Sequence, residues 1–422
     1  MSRFRLPLIR RSFALILLSA TAAMSMSADI STGPRIDVQG LRWRSTVIRI
    51  ALSSSLTGPS TSIKADSDVA GAVRRSLAAW SDVTGLEFRI EPSDKLTISP
   101  PGIVGDGINL ISIAPTQENL QLFAANPFGE SARTRVFYDR RGAITEGDIV
   151  LNPLQQFSTD GTYGTFDLET TLTHEIGHLV GLRHSGTSSS IMAERIPRNS
   201  DDHFGPRSLT EADIAGARDL YRTDTESCCG VIAGRLSVGA KAARNTAVWA
   251  EDSEGRVVGL AQSDPDGSYR LGGLPDAKYN ILALHRDSEG TFVTDLGKMT
   301  VSSDERTNLS KRIGQGSDKF TIDLAGVGRQ PSEATVDLKP GRQYTVSVLG
   351  SGLNDATTAF LFSTKNVRVD ASSTITQTMA DGRDLVSFTI IVDADALPGA
   401  YTLYAHRGDI KTALIGGFAV SR

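Results

Sequence analysis

The chain has 422 residues, enough at roughly 150 per domain for two to three domains with substantial cores. Hydrophobic residues make up 40% and charged residues 22%, which excludes wholesale disorder and a polytopic membrane protein. Lys plus Arg number 44 against 48 Asp plus Glu, a net charge of -4, so there is no basic footprint for a phosphate backbone and nucleic acid is not an expected partner.

Arg3, Arg5, Arg10 and Arg11 precede an uncharged, mainly apolar and small-residue run from Ser12 to Ala28. This is the layout of a secretory signal peptide, here 1–28, with cleavage after Ala23 or Ala28. No second apolar run of spanning length follows. The mature chain is expected to be extracellular without a transmembrane segment, either released or held at the cell surface by its own domains. Its two cysteines, Cys228 and Cys229, are adjacent, so they form a vicinal ring, pair with another chain, or stay as linker thiols; the last is the simplest expectation.

Residues 40–222 mix strands and helices. Val47 to Leu52 reads as a strand, and Val69, Val73, Leu77 and Trp80 recur at helical spacing across 68–83. Four further short strands are expected at 86–90, 108–113, 134–138 and 148–151, with loops at 99–107 and 117–130. A helix over 167–180 ends at Gly181. The last helix begins at a capping box of Thr210 and Asp213 and runs to Tyr221. After a linker at 223–229, helical periodicity disappears. Strands expected near 231–238, 246–250, 257–262, 268–271 and 279–284 make residues 230–312 a β-sandwich. Residues 318–422 form a second one, with its clearest strands at 344–349, 385–392 and 400–405. The fold class is therefore multidomain, an α+β unit followed by two all-β sandwiches.

Three of the six histidines fall within eleven residues, in Thr173-His174-Glu175-Ile176-Gly177-His178-Leu179-Val180-Gly181-Leu182-Arg183-His184. Four residues of helix turn about 400°, so His174 and His178 project from one face, one turn apart. Gly181 lets the chain leave the helix and bring His184 round. Three neutral imidazoles with a fourth position open is the arrangement of a catalytic zinc. Glu175 points beside the metal, where it can take a proton from zinc-bound water and return it to the leaving amine. Chance agreement with all five fixed residues of H-E-x-x-H-x-x-G-x-x-H is expected in well under about one chain in ten thousand.

On these residues the chain resembles the metzincin metallopeptidases, and within them the matrixins of bacterial type. Ser185 follows the third histidine as in matrixins, and Ser190-Ile191-Met192 resembles the family's methionine turn, with Met192 eight residues after His184. Leu209 to Tyr221 resembles the closing matrixin helix, and Gly147 to Asn152 a core strand of bacterial members. The resemblance implies a zincin fold over 40–222, one catalytic zinc on His174, His178 and His184, Met192 beneath it, and a protein or peptide substrate. Vertebrate-type matrixins hold a second, structural zinc with upstream histidines; none precedes His174, so that zinc is not expected. No upstream cysteine is present for a latency switch either. Residues 194–207 are longer and more charged than the family's usual specificity loop, so they predict no side-chain preference. Ala132 to Asp139 is the expected edge strand for an extended peptide. Asp106, Asp160 and Asp167 could bind calcium or be solvated loop acids.

Gly234 to Ile281, with Asp266-Gly267-Ser268-Tyr269 and Gly273-Leu274-Pro275, resembles the carboxypeptidase regulatory-like (transthyretin-like) sandwich, and 318–422 an immunoglobulin-like domain. Such modules space or bind, here at a matrix or cell-surface polymer. Arg407-Gly408-Asp409 is read as an accidental tripeptide, and His203, His285 and His406 as structural. The expected function is a secreted zinc-dependent metalloendopeptidase. The competing reading is a surface adhesion or matrix-binding protein whose zincin unit has little turnover.

Overall fold

Alternating apolar positions and strong helix caps shape the N-terminal unit, which the computed structural model describes over residues 40–200 and 206–221; the remaining described residues are 228–287, 290–314, 319–328 and 330–421. The expected export signal, His203 and most of the expected linker lie outside the described residues. Strands β1 (Arg42–Trp43) and β2 (Val47–Ser53) lead through the one-turn helix α1 (Ser54–Thr57) to α2 (Val69–Thr84). Asp68 caps α2 by accepting from the Gly71 N–H. Strands β3 (Glu87–Ser93) and β4 (Asn109–Ser112), helix α3 (Gln117–Gln121), and strands β5 (Ala132–Tyr138) and β6 (Ala143–Leu151) follow. The short pair β7 (Phe157–Ser158) and β8 (Phe166–Asp167), then α4 (Leu168–Leu179) and α5 (Glu211–Tyr221), complete the unit.

The main sheet runs β1-β6-β4-β2-β3, all parallel, with β5 antiparallel to β6. Val73, Leu77 and Trp80 of α2 are buried in one core with Leu172, Ile176 and Leu179 of α4. The Trp80 indole Nε1–H donates to the Thr173 carbonyl at 2.7 Å, tying the two helices together. The stretch 117–130, expected to be loop throughout, opens with α3. Thr116 caps that turn, and the buried Asn119 side chain binds the backbone of Leu96, Ile98 and Ala114.

In the second unit one sheet centres on Cys229–Val238, antiparallel to Ser268–Pro275 and parallel to Arg306–Asn308 and Lys311–Ile313. The other runs Val257–Gln262, Ala247–Glu251, Ala277–Arg286, Thr291–Val301. Ile232, Leu236, Val248, Leu271 and Ile281 fill the core. Cys228 and Cys229 are joined in a vicinal disulfide rather than remaining linker thiols. Cys229 is buried and belongs to the first strand, not the linker, because it pairs with Pro275.

The third unit has two four-stranded sheets. One holds Thr321–Val327, Gln343–Ser351, Asp384–Val392 and Val367–Thr378; the other holds Val336–Leu338, Ile410–Val420, Gly399–Arg407 and Ala359–Phe362. Gly408 and Asp409 turn between the strands Gly399–Arg407 and Ile410–Val420. The Arg407 guanidinium is engaged inside its own unit, donating to the Gly352 carbonyl at 3.1 Å and lying 4.8 Å over the Phe320 ring.

The units share packing. Ala215 of α5 sits in the core of the second unit, and a Cβ on Gly273 would lie 1.9 Å from the Ala215 carbonyl oxygen. Arg270 grips Asp219 of the same helix through two hydrogen bonds of 2.6 and 2.8 Å. Trp249, Val257 and Leu282 of the second unit pack with Ala400, Tyr404 and Ile415 of the third. There the buried Glu251 carboxylate accepts from Trp249 Nε1 at 3.0 Å and Tyr404 Oη at 2.5 Å. No helix among the described residues is long and apolar enough to cross a membrane.

Candidate metal centre and active site

Helix α4 starts where the Asp167 carboxylate accepts from the Thr170 N–H at 2.8 Å. About two and three turns on, His174 and His178 leave the same face. His174 Nδ1 lies 2.8 Å from the Ile191 carbonyl and His178 Nδ1 2.9 Å from that of Leu182. A carbonyl only accepts, so each Nδ1 carries the proton and each Nε2 keeps its lone pair. Gly181 reverses the chain at φ +97°, and a Cβ there would stand 2.0 Å from the Leu41 carbonyl oxygen. Gly181→Ala is therefore expected to cost about 2–4 kcal/mol of stability and to loosen His184, measured by denaturant unfolding.

The reversal places His184 Nε2 3.1 Å from His178 Nε2, which is itself 3.1 Å from His174 Nε2. The His174 and His178 lone pairs face each other at that distance without a shared hydrogen and repel, and a cation between them removes the repulsion. Nitrogens around a tetrahedral zinc stand about 3.3 Å apart, so the donor set fits that ion. Among the described residues these three histidines form the one cluster of potential ligand atoms close enough to hold a metal. Burial and the neighbouring imidazole push the His174 pKa down to about 3; burial also drives His178 well below its ordinary value and lowers His184. All three are neutral near pH 7, which is the ligating form.

Glu175 is buried beside the triad, and its carboxylate accepts from the Thr134 hydroxyl on β5 at 2.5 Å. Burial raises its pKa to about 7 against the opposing pull of that hydrogen bond, in the range suited to a general base near neutrality. Met192 is buried against α4. A Cβ on Gly177 would stand 2.2 Å from the Met192 sulfur, so glycine in the motif makes room for the methionine.

Residues 119–222 match the family model described as Matrixin. The chain carries a matrixin domain there. It is 41% identical over 66 residues to matrilysin of Rattus norvegicus, covering 16% of this chain and 24% of that protein. It is 37% identical over 82 residues to metalloendoproteinase 1 of Glycine max, covering 18% and 22%. It is 31% identical over 160 residues to metalloendoproteinase 2-MMP of Arabidopsis thaliana, covering 36% and 37%. The chain spans between 22% and 37% of the length of these relatives.

Within the matrixin domain Asp213 does more than the capping role that its spacing from Thr210 suggests. It does accept from the Thr210 N–H at 2.8 Å, but the same carboxylate accepts from the Ile191 N–H at 3.0 Å and from the Ser190 hydroxyl. The methionine segment therefore hangs from α5. Asp213→Ala would leave these buried donors unsatisfied and is expected to destabilise the domain by about 2–4 kcal/mol, read in urea unfolding.

β5 is an edge strand of the matrixin domain, paired among the described strands with β6 alone. Its residues Ala132, Arg133 and Thr134 line the cleft that holds the triad, together with Ile196, Pro197 and Arg198. The calcium candidates do not come together. Asp106 pairs with Lys95, Asp160 with Lys64, and Asp167 with Arg207. His285 is bound at Nδ1 to the Thr246 hydroxyl at 2.7 Å, and His406 lies in the strand Gly399–Arg407.

Proposed function

We propose that this protein is a zinc-dependent metalloendopeptidase, exported by its N-terminal segment, that hydrolyses peptide bonds in protein substrates. The convergence of three histidine Nε2 atoms beside a buried carboxylate supports this reading. Zinc, when bound by His174, His178 and His184, supplies a Lewis acid that polarises the scissile carbonyl and makes water acidic enough to attack. Glu175 removes the proton from the attacking water and returns it to the leaving nitrogen, a role matched by its raised pKa. Thr134 holds the carboxylate in place. The edge of β5, which lines the cleft, accepts an extended substrate by strand addition, main chain to main chain.

The domain limits expected from the sequence, 40–222, 230–312 and 318–422, serve this reading as catalytic unit and two supporting sandwiches. Purified full-length protein is expected to cleave casein or gelatin, and chelation to stop it. Intact substrate after incubation with zinc-loaded protein would favour an adhesive role. The internal engagement of the Arg407 guanidinium weighs against that role for residues 407–409.

A further inference from the structure

The catalytic cleft does not end at the matrixin domain. Its lining includes Glu333 of the third unit, whose carboxylate lies 3.3 Å from the Arg195 guanidinium. Glu194, Arg195 and Glu333 also line a second cavity at the junction of all three units, bounded further by Ser188, Arg286 and Ile415. Two cavities that share three wall residues adjoin as one groove, with the Arg195–Glu333 ion pair where they meet and the Arg286–Asp323 pair in the wall of the second.

Packing, not that pair, fixes the wall. A Cβ on Gly416 would stand 2.9 Å from the Ser189 hydroxyl, the Thr335 and Ser188 hydroxyls are 3.4 Å apart, and the buried Trp249–Tyr404 cluster seats the third unit on the second. The Arg195 and Glu333 side chains keep 65% and 55% of their surface exposed. Such a pair adds little stability, and its charges face whatever occupies the groove.

We propose that the C-terminal sandwich is part of the substrate site, and that Arg195 and Glu333 are specificity-determining residues. An extended polypeptide leaves the scissile position, runs over the exposed side of this pair and enters the junction groove. The crossing point holds two carboxylates, Glu194 and Glu333, against one guanidinium, so a basic substrate segment is favoured there. This deepens the proteolytic reading and rests on it.

The test uses full-length protein and peptides that share one scissile bond, either unextended or carrying a basic or an acidic extension on one side or the other. Glu333→Arg is expected to lower kcat/KM for a basic extension on one side, mainly through KM, on the order of tenfold more than for the unextended peptide. The acidic extension on that side should gain, and adding Arg195→Glu should restore the wild-type order. Binding gives a second readout. In the Glu175→Gln background, Glu333→Arg should weaken capture of the labelled basic peptide by a similar factor, followed by fluorescence anisotropy. An equal change for every peptide, or no change in either assay, overturns the proposal. If the wild type cleaves no peptide yet Glu175→Gln protein binds the extended one through Glu333, the groove stands and the proteolytic reading fails.

Discussion

Glu175→Ala is expected to cut peptide hydrolysis by roughly two to four orders of magnitude while leaving the metal in place. The carboxylate is not among the three converging nitrogens, so its loss removes proton transfer and spares the ligand set. Progress curves on a quenched peptide, with zinc content measured on the same sample, separate the two effects. A variant that works at the wild-type rate would end the assignment of Glu175. A stability signature should accompany the loss. The folded pKa of Glu175 is raised to about 7 from an ordinary 4.5, so the native state binds the proton more tightly than the unfolded state. The native state therefore loses stability as pH rises through that window. Metal-free Glu175→Gln protein should lack this loss and unfold at higher denaturant than the metal-free wild type above pH 7.

Removing the metal is expected to abolish activity and to lower the melting temperature by roughly 10 °C. At a thousandfold excess over its dissociation constant, a ligand stabilises by about 4 kcal/mol. For a unit of this size, each kcal/mol shifts the midpoint by about 2–4 °C. The facing Nε2 lone pairs of His174 and His178 also repel once the cation leaves. Calorimetry before and after chelation, with zinc add-back, checks both effects. Metal analysis should return one tightly held zinc per chain, and a second would contradict the inference from the missing upstream histidines.

The histidine motif was legible because its geometry is local: a helical pitch and a glycine reversal determine where His174, His178 and His184 point. Helix α2 was legible for the same reason, through Val73, Leu77 and Trp80. Thr134 as the partner of Glu175 was not, since 41 residues separate them and only the packing of β5 on α4 brings them together. The anchoring role of Asp213 lay hidden behind its local capping pattern. The strand Thr291–Val301 escaped notice because its buried and exposed positions do not alternate regularly. Glu333 gave no sign at all, because its place at the cleft depends on how three units dock.

Helix α5 belongs to two cores at once, and this bears on how the protein can be divided. A chain stopped at residue 222 would retain every proposed metal ligand, yet expose the Ala215 face of α5 to water and leave Asp219 without Arg270. The same helix suspends the methionine segment through Asp213. The β-rich half is thus part of the foundation of the metal centre, and a swapped or shifted second unit should be felt at the histidines without touching them.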